Sequence, residues 1–404
     1  MKYKMKKTAL LLSLVILQTA LTAQTEFETI LSQIHADSLK KTVEDLVAFD
    51  NRLCCATVGN NKKTAQYIVQ RLNAYGIENA EIDSFHVSMS NWLLGTVNQF
   101  MYNVRGRLHG NINPDSIVII GAHLDAICYD AYYIIQSTTP GANDNATGIA
   151  IMIEVARIFH ANNLTPQYSI DFMAYDAEEI GLCGSKYDAA KRKSSNEKVY
   201  VMLNNDMVGM QSEEDDDWKV TFHADFENIE NKAKIICKDY TRLQPYIPDN
   251  LDSSYRNSDS WAYREVGFKT FYTHEYEDDP NYHSLLDLPQ RLNYRYMAEI
   301  AKLHFSLLYD WAIEQITKET NRIYEPVHAD AFAIFPNPTS NMLQITSYEQ
   351  NSTVSSISIY DAMGRTVFQH SNIIQYPYNV DVSNFPCGIY YLRIGEKVIP
   401  FLKE

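Results

Sequence analysis

Five side chains spread along the middle of the chain, His123, Asp144, Glu179, Asp206 and His283, are of types that hold metal ions. Two imidazoles and three carboxylates form a nitrogen and oxygen donor set suited to zinc. Three carboxylates and one hydroxide would neutralise two divalent ions, so the set suits a pair about 3.5–4 Å apart that shares one carboxylate. Asp144 is best placed for that shared role, on the glycine-flanked loop Pro140-Gly141-Ala142-Asn143-Asp144-Asn145-Ala146-Thr147-Gly148 that opens a helix. Asp125, two residues past His123, can accept the other imidazole N–H and fix the ring's tautomer. Glu178, next to Glu179, then stays free to act as general base. Each residue also has a plainer reading: a lone histidine is usually a surface or core residue, and an aspartate before a helix is usually a cap. Only their joint placement argues for chemistry.

That placement comes from the elements around them. Ser116 to Ala122 is a continuous apolar run, expected as a central strand buried on both faces, and it ends in His123-Leu124-Asp125. A helix is expected from Ile149 to His160 and a buried strand from Tyr168 to Ala174, which ends in Asp176-Ala177-Glu178-Glu179. A helix near Lys186–Arg192 follows, then a strand Val199–Leu203 that ends in Asn204-Asn205-Asp206. Further helices are expected near Asn228–Tyr240 and Ser258–Val266, a short strand at Lys269–Thr273, and a long helix from Asn293 to Thr317. Upstream, amphipathic helices fit Glu26–Asp50 and Lys62–Tyr75, the latter stopped by Gly76. Two or three strands fit Ile82–Leu108, and Asn113-Pro114-Asp115 reads as a turn. Alternating strands and helices predict an α/β fold with a largely parallel central sheet covered on both faces. Ligands of such sheets bind beyond the carboxyl ends of the strands, where His123, Glu178, Glu179 and Asp206 fall.

From Phe332 the texture changes to short alternating strands, Leu343–Thr346, Ser356–Tyr360, Thr366–Phe368, Tyr378–Val382 and Ile389–Ile394, expected as a small all-β sandwich. The expected organisation is a signal peptide over 1–23, a catalytic domain over 24–318, a linker over 319–331 and the sandwich over 332–404. The signal peptide rests on Lys2, Lys4, Lys6 and Lys7, the apolar run Thr8–Ala20, and Ala23 at the cut. That run is short for a membrane span and no other segment approaches one, so no transmembrane segment is expected. A net charge of −15 argues against nucleic acid as the main partner. Other chemistries find no motif: His274-Glu275 lacks the second histidine of H-E-x-x-H, and there is no nucleophile elbow, phosphate-binding loop or dinucleotide fingerprint.

These pieces, with Gly121-Ala122-His123-Leu124-Asp125, Asn204-Asn205-Asp206-Met207-Val208-Gly209 and Tyr282-His283-Ser284, resemble the co-catalytic dizinc aminopeptidases of the bacterial leucyl aminopeptidase type. The resemblance spans about residues 30–315. It implies two Zn2+ ions per chain, one held by His123 and Asp206, the other by Glu179 and His283, with Asp144 bridging and a cis peptide at Asp144–Asn145. It implies hydrolysis of N-terminal residues from peptides with a free N-terminus by a metal-activated water, with Glu178 as base. Ser258-Asp259-Ser260 resembles the family's Ser-Asp-His stretch with serine in place of histidine, which makes Asp259 a candidate either for supporting the residues around the metals from behind or for facing the substrate. The same pattern includes glutaminyl cyclases, the alternative activity. A non-enzymatic surface protein that keeps the fold is a further alternative. Tyr129, Tyr132, Tyr133, Trp261 and Phe271 are candidate walls of a side-chain pocket, and the acidic loops 213–217 and 275–279 candidate calcium or basic-end sites.

Pro336-Asn337-Pro338, Tyr360-Asp361-Ala362-Met363-Gly364-Arg365 and Gly388-Ile389-Tyr390-Tyr391-Leu392 resemble the sorting domain of type IX secretion. This implies the type IX machinery as partner and a secreted or cell-surface location reached through the periplasm. Removal of that domain would take Cys387, leaving an odd number of the six cysteines; a Cys128–Cys183 disulfide is the expected pairing near the site.

Overall fold

The computed structural model describes residues 27–55, 60–212, 218–248, 253–312, 332–335, 337–347, 354–373, 378–394 and 397–404. The expected signal peptide, the acidic run 213–217 and the linker 319–331 lie outside them. Two compact units are present, Met1–Arg322 and Ile323–Glu404.

After a short helical segment at residues 27–31, the first unit has helices α1 (Ala36–Val47) and α2 (Asn61–Ala74) and the hairpin β1 (Glu81–Asn91) and β2 (Gly95–Leu108). Then come β3 (Asn113–His123), α3 (Thr147–Ala161), β4 (Tyr168–Tyr175), α4 (Cys183–Ser194), β5 (Lys198–Asn205) and β6 (Trp218–Ala224). The unit closes with α5 (Glu227–Tyr240), β7 (Leu243–Tyr246), α6 (Ser253–Arg256), α7 (Asp259–Glu265), β8 (Thr270–Glu275) and α8 (Tyr294–Ala312). Its eight strands form one sheet in the order β1-β2-β4-β3-β5-β8-β6-β7. The centre, β4-β3-β5-β8, is parallel, as the strand and helix alternation requires, while antiparallel pairs extend both sides. In β3, Val118, Ile120 and Ala122 pack into the cluster that includes α3 and α8. Ile117 and Ile119 pack on the opposite face with Ala189 of α4 and Tyr263 of α7. A strand covered on both sides has no polar face, so it reads as an unbroken apolar run. Gly76 adopts φ +76° at the end of α2, the left-handed stop its position implied.

Strands β6 and β7 have no counterpart in the sequence pattern. In β6, Thr221 and His223 are as buried as Val220 and Phe222, which erases the alternation that marks a strand. The four-residue β7 contains Pro245. Asn113-Pro114-Asp115 is not a turn but the start of β3, where register with β4 shifts between Asn113 and Ile117; a proline is tolerated at such an irregularity.

Asp171 of β4 is fully buried, with Arg107 Nε and Nη2 at 2.5 and 2.8 Å, Arg192 Nη1 at 2.7 Å and Arg105 Nη2 at 3.3 Å. Burial alone would raise its pKa, but these guanidinium groups outweigh it and hold the carboxyl below the usual aspartate range. A depressed folded-state pKa contributes stability that is complete above the unfolded value of ~3.9 and is lost as pH falls through the folded one. Asp171→Asn removes the buried anion shared by three guanidinium groups, but Arg192 keeps Asp188 and Glu197, and Arg105 and Arg107 keep Glu197, so it should cost about 1–3 kcal/mol in urea unfolding at pH 7, with little further loss on acidification through this group.

In the second unit, strands β9 (Phe332–Phe335), β10 (Met342–Ser347) and β13 (Tyr378–Asp381) form one antiparallel sheet. Strands β11 (Val354–Asp361), β12 (Thr366–Ile373), β14 (Gly388–Ile394) and β15 (Lys397–Lys403) form another. Leu343, Ile345 and Val380 of the first share a core with Ile357, Ile359, Leu392 and Phe401 of the second, which makes the expected sandwich. Asp361 Oδ1 accepts the N–H groups of Met363 and Arg365 at 2.9 and 3.0 Å and closes the β11–β12 turn.

Candidate metal centre

Strand ends deliver the ligands. β3 ends on His123, the turn after β4 carries Glu178 and Glu179, and Asp206 follows β5. Asp144 lies on the turn Ala142–Ala146 that enters α3, and His283 on the loop after β8. The ligand atoms of His123, Asp144 and Glu179 lie within 4.8 Å of one another. His123 Nε2 is 3.0 Å from Asp144 Oδ1 and 3.3 Å from Asp206 Oδ1. His283 Nε2 is 3.1 Å from Asp144 Oδ2 and 2.9 Å from Glu179 Oε2. Asp144 therefore turns one oxygen toward each imidazole. Glu178 Oε2 stands off, 4.0 Å from His123 Nε2.

The donor set fits zinc. Two ligands at about 2.0–2.1 Å from a tetrahedral ion are about 3.3 Å apart, close to the spacing of these nitrogen and oxygen pairs. His283 Nε2 is buried between two carboxylates yet lacks any hydrogen bond of good geometry, a position that either a proton or a bound cation must satisfy. Burial would lower the pKa of both histidines, but Glu178 and Asp206 around His123, and Glu179 and Asp144 around His283, raise them, His283 to about 12. Burial, then the Asp144 charge, pushes Glu179 up to about 7. Burial likewise raises Glu178 well above the glutamate range although His123 opposes it. Without a metal the cluster retains protons, so metal uptake must release them and tightens as pH rises.

The surrounding contacts fix these side chains. Asp125 was expected to hold the His123 ring through its carboxylate, but Nδ1 is nearer the Asp125 carbonyl oxygen, 3.2 Å against 3.6 Å to Oδ1. The carboxylate instead accepts the N–H groups of Glu178 and Glu179 at 3.1 and 3.4 Å, setting the turn that carries both. Asp176 braces the same turn, accepting from Asn61 Nδ2 at 2.8 Å and Tyr102 N–H at 2.7 Å. Ala177, Met207 and His283 adopt φ of 61°, 51° and 53°, a costly region for side-chain-bearing residues and typical of functional turns. The Asp144–Asn145 peptide is cis, as the resemblance implied.

Two supporting residues escaped the sequence reading. Asp287 accepts the N–H groups of Asn143 and Asp144 at 2.7 and 3.1 Å and so places the loop that carries Asp144. Buried Arg52 donates from Nη2 to the Gly141 carbonyl at 2.7 Å; burial draws it down to about 10 while Asp287, Asp125, Asp144 and Glu179 oppose this. Asp287 lies four residues past His283, but no spacing rule separates it from a solvated loop aspartate, and Arg52 has no local signature.

Other expectations change. All six cysteines are free thiols, so Cys128 and Cys183 are not paired. Cys183 packs in a separate apolar cluster with Cys54 and Ile180, its Sγ 3.8 Å from Met89 Sδ. Asp259 is 0% exposed at the start of α7, a position that suits the supporting role among its two expected ones. Neither of its oxygens has a partner of good geometry; nearby Ser185 helps the charged form but its own hydroxyl donates to the Leu182 carbonyl. Burial pushes Asp259 up to about 7, and its charge acts on Glu178. Phe271 is core rather than a pocket wall, while Trp261 is partly exposed and packs edge-on against Tyr255. In the second acidic loop, Glu275 and Asp279 accept from Asn143 Nδ2 at 2.8 and 3.0 Å, which makes them braces of the loop that carries Asp144 rather than a calcium site.

Residues 103–308 match the model of Peptidase family M28, and residues 333–400 that of the secretion system C-terminal sorting domain. A probable leucine aminopeptidase of Arthroderma benhamiae is 26% identical over 298 residues, 72% of this chain and 77% of that protein. A probable zinc metalloprotease of Pyrenophora tritici-repentis is 27% identical over 193 residues, 46% of this chain; the match spans only 39% of that relative. Among solved structures, the LapA aminopeptidase of Legionella pneumophila has a TM-score of 0.59 at 21% identity, covering 72% of this chain and 74% of that one. A Bacteroides thetaiotaomicron glutaminyl cyclase bound to N-acetylhistamine has a TM-score of 0.56 at 17% identity, covering 69% and 98%. At these identities the two structures establish the shared fold.

Proposed function

This chain belongs to peptidase family M28, and from that we propose an exported zinc aminopeptidase that removes N-terminal residues from peptides. The observation that carries the reading is Asp144 facing His123 with one oxygen and His283 with the other. His123 and Asp206 would hold one zinc ion, Glu179 and His283 a second, with Asp144 common to both. Bound zinc supplies Lewis-acid polarisation of the scissile carbonyl and a lowered pKa for the attacking water. Glu178, outside the ligand set and with its side chain 10% exposed, would take a proton from the attacking water and deliver one to the leaving amine. Asp125 keeps Glu178 in reach through its backbone N–H. Asp259 biases the proton affinity of Glu178 through charge. Residues 1–23 serve as signal peptide, 24–318 as catalytic domain and 319–331 as linker. The sorting-domain match underlies export to the medium or cell surface by type IX secretion through the periplasm.

The likeness to a glutaminyl cyclase gives a second reading, closure of N-terminal glutamine to pyroglutamate. A panel of aminoacyl-p-nitroanilides with zinc analysis separates the two. The expected result is chelator-sensitive release of nitroaniline and two zinc ions per chain. Ammonia release from an N-terminal glutamine peptide, with no nitroanilide cleaved, would replace the peptidase with the cyclase. Neither turnover nor bound zinc would leave only a binding protein.

A further inference from the structure

A row of aromatic rings runs from the Nδ1 side of the His283 imidazole, whose Nε2 faces the candidate centre, to solvent. The Tyr129 hydroxyl lies 3.1 Å from His283 Nδ1, and the two rings meet edge to face at 5.3 Å. Tyr133 lies 5.6 Å beyond Tyr129, and Trp92, in the turn between β1 and β2, lies 5.5 Å beyond Tyr133 at 75°. None of these three rings belongs to a hydrophobic core of the described residues, and Trp92 and Tyr133 are 77% and 59% exposed. The presenting loop is held for the purpose: Asp130 Oδ1 accepts the N–H groups of Tyr132 and Ile134 at 2.8 and 3.0 Å, and Tyr133 takes φ 60°. Exposed single aromatics need no explanation, but a contiguous series that begins on a candidate ligand does.

We propose that Tyr129, Tyr133 and Trp92 form a subsite for apolar or aromatic side chains of the peptide downstream of its first residue. The inference rests on the reading of the centre as one that takes a free peptide N-terminus. With the terminal residue at the metals, the remaining chain must lead outward, and the rings follow an outward route. Extended peptide advances about 3.3 Å per residue, so the row offers contacts to roughly two to five residues. Flat rings with few rotamers give such contact at low entropic cost.

The test uses the full chain and C-terminally labelled peptides whose first bond is a reduced, uncleavable amide: leucine followed by Phe-Phe or by Ala-Ala. Fluorescence polarisation should show the Phe-Phe peptide bound about tenfold tighter by the wild type, and Trp92→Ala, a solvent-exposed change, should collapse that ratio toward one. A ratio unchanged in Trp92→Ala, or equal weakening of both peptides, overturns the proposal even if leucyl-p-nitroanilide is hydrolysed. Trp92-dependent binding in a protein that cleaves nothing sustains the subsite while the peptidase reading falls. A wild-type dimer that Trp92→Ala makes monomeric would assign the rings to self-association and also overturn it.

Discussion

Asp144→Ala should abolish peptidase activity and leave the chain with at most one zinc ion, while circular dichroism shows the fold intact. Among the described residues, Asp144 alone approaches both imidazoles, at 3.0 and 3.1 Å, so on the proposed assignment its loss removes a donor from each half of the centre and the anion shared by both. Losing a mere supporting partner of a metal ligand typically costs 10–100-fold. Losing the shared ligand should exceed ~100-fold in activity, with zinc stoichiometry by atomic absorption falling in parallel. Retention of two ions in this variant would show that the bridge is wrongly assigned.

Glu178→Gln should give the opposite combination: two zinc ions retained, KM within a few-fold of wild type, and kcat lowered by about 10²–10⁴. The amide has the same shape and keeps the backbone bond from Glu178 N–H to Asp125, but it cannot carry a proton. Glu178 stands 4.0 Å from His123 Nε2, outside the 2.9–3.3 Å spacing of the ligand pairs, so its removal leaves the donor set complete. Near wild-type kcat would remove Glu178 from the mechanism. Loss of zinc would make it a ligand. The two variants thus separate holding the metals from moving the proton.

The frame of this centre was legible in the sequence because its causes are local. An apolar run covered on both faces identifies β3, and the residues past the ends of β3, β4 and β5 project into the common crevice of a parallel sheet. What escaped is fixed by contacts distant in the chain. Asp287 serves Asn143 and Asp144 across more than a hundred residues, and Arg52 reaches Gly141 from before the sheet begins. The Asp125 carboxylate was foreseen near the metals, but its partners follow from the turn at Ala177, which no periodicity encodes. The disulfide expectation failed for a related reason: proximity of two cysteines to motif residues says nothing about which layer each packs into.

The start of α3 is pressed onto the end of β5 so closely that a Cβ on Gly148 would fall 2.4 Å from the Asn205 carbonyl oxygen. Asn145 locks the junction, donating from Nδ2 to that oxygen at 2.9 Å and accepting the Gly148 N–H at 2.9 Å. Asp144 and Asp206, each one residue away, consequently ride on a single welded joint. A side chain in place of the Gly148 hydrogen would wedge that joint apart and shift both anions at once, so the spacing of the donors depends on a residue that donates nothing itself.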